Sequence, residues 1–223
     1  HLYPAPHPAI AQALARGVPV DNDIGLFFRS FAADGWEAFD TPPRVICVTG
    51  SNGKSTTTAL IAHCVAASGR DAQLGGNIGV PVLTLAPPEG GRCHVVECSS
   101  YQIDLAPSLR PTVGILINLS PDHLDRHGTM ENYAAIKERL VAGAQTAVIG
   151  IDDPYCAAIA DRLEAAGHAV LRISRDLAPA DGYGFDGTDV VRRSGGAESG
   201  RFRIAGIGSL RGRHNGQNAA AAI

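Results

Sequence analysis

The sequence predicts an α/β fold, a mostly parallel sheet covered by helices on both faces, and three observations predict it. From Arg44 onward, short continuous apolar runs alternate with longer stretches of helical periodicity. These runs lack the in-and-out alternation of a half-solvated antiparallel strand, so each should be buried on both faces. The first of them leads straight through a glycine-rich loop into a helix.

Ahead of this rhythm lie a proline-rich opening through Pro8, a helical stretch at 9–16, a short strand at 18–20 and the opening of a second helix at 21–31. That is too little to fold alone. Residues 1–43 read as the C-terminal end of an upstream domain followed by a linker through Asp34, Gly35 and the Thr41-Pro42-Pro43 stop. Arg44–Thr49 is then a buried strand and 55–68 a helix; strands follow at 93–98 and 113–118. Residues 131–142 are helical, 146–149 a strand, 154–166 a helix and Ala169–Ile173 a strand. Beyond Ile173 the chain is polar and glycine-rich, with alternating pieces at 189–193 and 201–204 that suggest an antiparallel excursion. His214-Asn215-Gly216-Gln217-Asn218 reads as a loop entering a helix that stops at Ile223, so the domain at 44–223 is expected to be incomplete at its C-terminal end.

A chain of 223 residues buries one good core, with room for a fragment of a second unit. A formal charge of −3 argues against a nucleic-acid protein held by a general basic field and favours a small-molecule partner. No apolar run reaches the roughly 18 residues of a spanning helix, and no charged-then-apolar leader opens the chain. Five cysteines form no Cys-x-x-Cys pair and fall mostly inside apolar strand or helix patterns, which suits reduced thiols. The expectation is a cytoplasmic monomer without membrane or nucleic-acid partners.

Gly50-Ser51-Asn52-Gly53-Lys54-Ser55 stands between a buried strand and a helix N-terminus. Glycines let backbone N–H groups close around phosphate oxygens, and the helix dipole favours the anion. Lys54 supplies a compact cation and Ser55 a hydroxyl for magnesium, which makes the fold P-loop-type. The plain alternative is a Gly-Lys turn capped by Ser55, with Thr56 and its two following threonines as helix filler. Glu97 ends an apolar strand at the carboxyl edge of the sheet, where open parallel sheets place ligand chemistry, and a carboxylate there suits magnesium. Tyr133, Ile136, Leu140 and Val141 form a helical stripe that also contains Lys137; an inward lysine needs an explanation, snorkelling being the common one. Asn77 lies in a glycine-flanked loop, either as a phosphate contact or as a turn asparagine. Asn218 is either a ligand contact or a helix cap.

These residues, read with Gly75-Gly76-Asn77-Ile78-Gly79, Glu97-Cys98-Ser99-Ser100-Tyr101-Gln102 and the 118–125 run Asn-Leu-Ser-Pro-Asp-His-Leu-Asp, resemble the Mur ligase family of peptidoglycan synthesis. The Glu-x-Ser-Ser-x-Gln run resembles the D-glutamate-adding members more than their relatives, and folylpolyglutamate synthases share the phosphate loop but not this run. The resemblance implies an ATP-dependent amide ligase joining D-glutamate to UDP-N-acetylmuramoyl-L-alanine through an acyl phosphate. It implies that 44–223 is the central ATPase domain, preceded by the end of a Rossmann-like UDP-substrate-binding domain, with a third, amino-acid-binding domain absent. Residues 50–56 would bind ATP, together with Asn215 and with Asn218 on the adenine edge. Asn77 would touch the γ-phosphate, and Ser99 and Gln102 would lie near the acceptor. Two magnesium ions are implied, one held by Ser55 and Glu97, the other by His123 and by Lys137 in carbamylated form; Lys54, His123 and Lys137 would be catalytic. A histidine on magnesium is chemically unusual. Two departures stand out: the family's Asp-Ile-Glu-Leu-Phe appears as Asp23-Ile24-Gly25-Leu26-Phe27, and the linker at 32–43 is long. Other readings of the same residues are a folylpolyglutamate- or cyanophycin-synthetase-type ligase, or a nucleotide-binding switch or ATPase module.

Overall fold

A computed structural model describes residues 7–33, 39–177 and 179–223. The proline-rich opening before His7 and the linker positions Asp34 and Gly35 lie outside the described residues. Helices α1 (Pro8–Ala15) and α2 (Asp23–Ala33) precede β1 (Arg44–Thr49), α3 (Lys54–Ala67), β2 (Ala72–Gly76) and β3 (Cys93–Glu97). Then come α4 (Ser100–Asp104), β4 (Val113–Leu116), α5 (Leu124–His127), α6 (Met130–Ala142), β5 (Thr146–Gly150), α7 (Pro154–Ala165) and β6 (Ala169–Ile173). The chain closes with β7 (Gly182–Phe185), β8 (Asp189–Ser194), β9 (Ala197–Arg203) and α8 (Arg213–Ala220).

The strands form one sheet in the order β2-β3-β1-β4-β5-β6-β7-β8-β9. Pairing is parallel from β2 through β6, and β7 joins β6 in parallel at Ile173 and Tyr183. The expected antiparallel excursion is β7-β8-β9. Its tight turn is built on Gly195 (φ 57°) and Gly196 (φ 80°), the doubly left-handed geometry that matches strand twist.

Burial on both faces follows from the apolar runs. Val45, Cys47, Val96, Leu116 and Ile149 point into a core shared with α2, α4, α6 and α7. Their alternates Val48, Val95, Ile115 and Val148 point into a second core under α3 and α8. Because neither face meets water, the period-2 signal is absent and the strands read as continuous apolar segments.

Two elements ahead of β1 differ from expectation. Residues 18–20 form no strand: Pro19 cannot donate to a ladder, and among the described residues no strand pairs with this segment. Helix α2 is packed onto the sheet, with Ile24, Phe27, Phe28 and Phe31 all buried in the first core. Asn22 accepts from Gly25 N at 3.0 Å as a helix cap, and its Nδ2 donates to Gln102 O at 2.7 Å, tying α2 to α4. Phe31 stands 5.2 Å from both the Phe27 and His94 rings. Phe31→Ala is therefore expected to destabilise the chain by about 3–5 kcal/mol, read as a lowered urea midpoint with an unchanged slope. A change under 1 kcal/mol would mean that α2 is not part of the core.

Candidate active site

The functional side chains gather at the carboxyl ends of three adjacent strands, β3, β1 and β4, on either side of the point where the chain's direction of winding reverses. At the end of β1 the loop runs through Gly53, whose φ of 84° is left-handed and which begins α3 without any side-chain cap. The first N–H groups of α3 are thus left for a ligand rather than spent on a cap. A β-carbon on Gly53 would also come within 2.5 Å of Asn218 Oδ1, so glycine is demanded by conformation and by contact.

The loop is braced from β4. Ser51 N donates to Asn118 O and Asn52 N to Asn118 Oδ1, both at 2.9 Å. Ser51 Oγ donates to Ser120 O at 3.0 Å and meets the Tyr133 hydroxyl at 3.2 Å. Burial pushes the Tyr133 phenol up to about 12, so it stays a protonated strut. Lys54 Nζ donates to Gly50 O and Ser51 O, each at 3.0 Å, arching back over the loop.

Glu97, 1% exposed, is met by neutral donors: Ser55 Oγ reaches Oε2 and Asn77 Nδ2 reaches Oε1, both at 2.7 Å. Among the described residues no lysine or arginine pairs with it. A buried carboxylate met by a hydroxyl and an amide is a suitable donor for a hard cation. No group of three His, Cys, Asp or Glu among the described residues could hold a metal unaided.

Lys137 is 1% exposed, and its Nζ donates to Thr49 Oγ1 at 2.9 Å and Gly50 O at 3.0 Å. Burial first, and then the nearby Lys54 charge, pull its pKa down to about 7. Snorkelling to solvent does not account for it. His123 has φ 50°, the sole non-glycine among the described residues with a positive φ. It is half exposed, with Nδ1 3.2 Å from the Tyr101 hydroxyl and Nε2 3.5 Å from Asp122 Oδ2. His123 thus begins α5 in a left-handed backbone position at the rim of the cleft.

Lys54, Asn77, Ser99, Tyr101, His123 and Lys137 line one cleft of about 170 Å³, room for a phosphoryl group and its ions. Asn215 and Asn218 stand apart from it, beyond Gly53, joined to each other at 3.1 Å. Thr56 is exposed on α3. Gln102 does not line the cleft: Ser99 and Gln102 form a reciprocal capping box for α4, with Ser99 Oγ accepting from Gln102 N and Gln102 Oε1 from Ser99 N. The Ser-x-x-Gln spacing carries that capping signal openly. Tyr133 also went unrecognised as a site residue, although it lies one turn before Lys137 on the same helix face.

The description "Mur ligase middle domain" matches residues 48–223. The chain belongs to the Mur ligase family. Over 220 residues this Mur ligase chain is 57% identical to the UDP-N-acetylmuramoylalanine–D-glutamate ligase of Chelativorans sp. (strain BNC1), covering 99% of this chain and 46% of that protein. It is 59% identical over 221 residues to the ligase of the same name from Brucella abortus (strain 2308), with coverages of 99% and 46%. The chain thus spans just under half the length of these curated relatives. Among solved structures it resembles UDP-N-acetylmuramoyl-L-alanyl-D-glutamate–2,6-diaminopimelate ligase, with a TM-score of 0.66, 25% identity, and coverage of 86% of this chain and 43% of that one. The fold is also shared with the MurF ligase of Thermotoga maritima in complex with ADP, at a TM-score of 0.61, 18% identity, and coverages of 90% and 47%. The family and the sheet architecture are those expected from the motifs.

Proposed function

We propose that this chain supplies the ATP-binding and phosphoryl-transfer part of a ligase that adds D-glutamate to UDP-N-acetylmuramoyl-L-alanine in peptidoglycan precursor synthesis. The observation that carries the chemistry is the convergence of Lys54, Asn77 and Lys137 on one small cleft, with Glu97 bonded to Asn77 and Ser55 behind it. The amino acid is supported by the name carried by relatives 57% to 59% identical over 99% of the chain. We assign 44–223 to the ATP-binding domain and 1–43 to the end of a UDP-substrate-binding unit that leans on it through α2. The amino-acid-binding part is assigned to the portion of such ligases that this chain does not span.

A carboxylate does not react with an amine in water until its oxygen becomes a leaving group. In the proposed reaction the substrate carboxylate takes the terminal phosphoryl of ATP, giving an acyl phosphate and ADP. The D-glutamate amine then attacks the acyl carbon, the C–O bond to phosphate breaks, and the nitrogen loses a proton as the amide forms. Lys54 and the loop amides hold the β- and γ-phosphate oxygens and offset charge on the phosphoryl group in flight. Magnesium at Ser55 and Glu97 would neutralise phosphate charge; the buried, cation-free carboxylate fits it. His123 and carbamylated Lys137 are the donors proposed for a second ion. A neutral amine is what adds to carbon dioxide, and the depressed pKa of Lys137 provides one near neutral pH. Asn77 orients the γ-phosphate, Ser99 faces the acceptor, and Asn215 and Asn218 receive the adenine. The reaction is placed in the cytoplasm, and among the described residues no helix is long and apolar enough to cross a membrane.

Phosphate release by the full-length ligase, with magnesium-ATP and UDP-N-acetylmuramoyl-L-alanine, tests this against D-glutamate, L-alanine, diaminopimelate and L-glutamate. Stimulation by D-glutamate alone is expected. Stimulation by another amino acid would reassign the ligase, and release indifferent to all of them would reduce the chain to a nucleotide-hydrolysing module.

A further inference from the structure

We infer that Asp152 is a positioning residue for the nucleotide: its carboxylate seats α8 against the phosphate loop so that Asn218 stands beside Gly53. The inference rests on the nucleotide-binding role proposed above for Asn215 and Asn218. Asp152 lies two residues past β5, at the same edge of the sheet as the site but outside the cleft.

Three donors from two distant segments converge on its side chain. Ser174 Oγ donates to Oδ1 at 2.6 Å, while Arg175 N at 2.8 Å and Gln217 Nε2 at 2.7 Å donate to Oδ2. An ionised carboxylate accepts and never donates, so it meets all three donors without conflict. Gln217, 4% exposed, also donates to Ile117 O at 3.2 Å, which pins the start of α8 to the end of β4.

The surrounding backbone is cut away to allow this seat. A β-carbon on Gly150 would stand 1.9 Å from Ile117 O and 2.6 Å from Gln217 Nε2. One on Gly216 would lie 2.3 Å from the Phe185 ring, and one on Gly53 would strike Asn218. Three glycines thus let α8 approach the sheet and the loop more closely than any side chain permits. Asp152 supplies the polar clamp that holds it there. Alanine at 152 would leave all three donors without their acceptor and loosen the seat.

The test is a titration of the full chain with magnesium-ADP and, separately, magnesium pyrophosphate. Pyrophosphate engages the phosphate loop alone, whereas ADP also engages α8. Asp152→Ala is expected to weaken ADP about tenfold, a change of one lost hydrogen bond's order, while pyrophosphate binding changes less than about twofold. Ser174→Ala, a milder release of the same clamp, is expected to show a smaller loss with the same selectivity. Equal loss of both ligands, or no loss of ADP, overturns the inference. Should Asp152→Ala fail to fold by thermal melting, Ser174→Ala decides alone, and unchanged ADP affinity there overturns it. If the unaltered chain binds pyrophosphate and gains nothing from the nucleoside of ADP, the assignment of Asn215 and Asn218 falls, and this inference with it.

Discussion

Lys54→Ala is expected to lower D-glutamate-stimulated phosphate release by the full-length ligase at least about a thousandfold. Two losses combine. The variant lacks the compact cation that faces the outer phosphates. It also lacks the bridge from Nζ to Gly50 O and Ser51 O, each 3.0 Å long, that holds the loop in its arched form. Lys54→Arg keeps the charge but carries a planar fork where a point charge is needed, so recovery should be partial. Turnover within tenfold of the parent in Lys54→Ala would remove the phosphate loop from the mechanism.

Lys137 offers a second large effect, with a pH signature. Lys137→Ala and Lys137→Arg are both expected to lose turnover by about a hundredfold or more, since arginine keeps a cation and cannot take up carbon dioxide. Carbon-13-labelled carbon dioxide should give a carbamate signal in the parent that is missing from both variants. At a fixed concentration of dissolved carbon dioxide the signal should grow as pH rises through about 7, because the amine must first lose its proton. Stability should follow the same residue. Its folded pKa, about 7, lies below the ordinary value of 10.5, so between these pH values the unfolded chain binds more protons. Stability therefore rises with pH across that window, and below it the burden of a buried ammonium is carried in full. Urea midpoints at pH 6.5 and 8.5, measured without carbon dioxide, check the sign; Lys137→Met should flatten the difference. An unmodified amino group at pH 8 under labelled carbon dioxide would sink the carbamate.

The parts of this site that could be read in the sequence are those whose meaning is local. Gly50 to Ser55 announces itself by lying between a strand and a helix, Glu97 by ending an apolar run, and Lys137 by its place in a helical stripe. Strand β2, Ala-Gln-Leu-Gly-Gly, and strand β7, Gly-Tyr-Gly-Phe, were missed because their glycines carry no strand preference; neighbouring strands make them strands. The braces were illegible for a different reason. Ser51 and Ser120 are 69 residues apart, and Asp152 and Gln217 are 65 apart, so no window along the chain contains both partners. Ser99 and Gln102 lie at the other extreme, since their Ser-x-x-Gln spacing is a local capping signal plain in the sequence, and the structure forms that cap.

The bond from Asn22 to the Gln102 carbonyl also sets a path for force. The polypeptide ahead of β1 is anchored by four buried side chains of α2, and a polar link runs from it to α4. A pull on the polypeptide ahead of Asp21 would therefore be delivered first to the helix that Ser99 caps, at the rim of the cleft. The phosphate loop is tethered to the segment after β4 through Asn118 and Ser120. The two supports meet where β1 pairs with β3 and where Ser55 reaches Glu97, so a tug on one is passed to the other through the middle of the sheet.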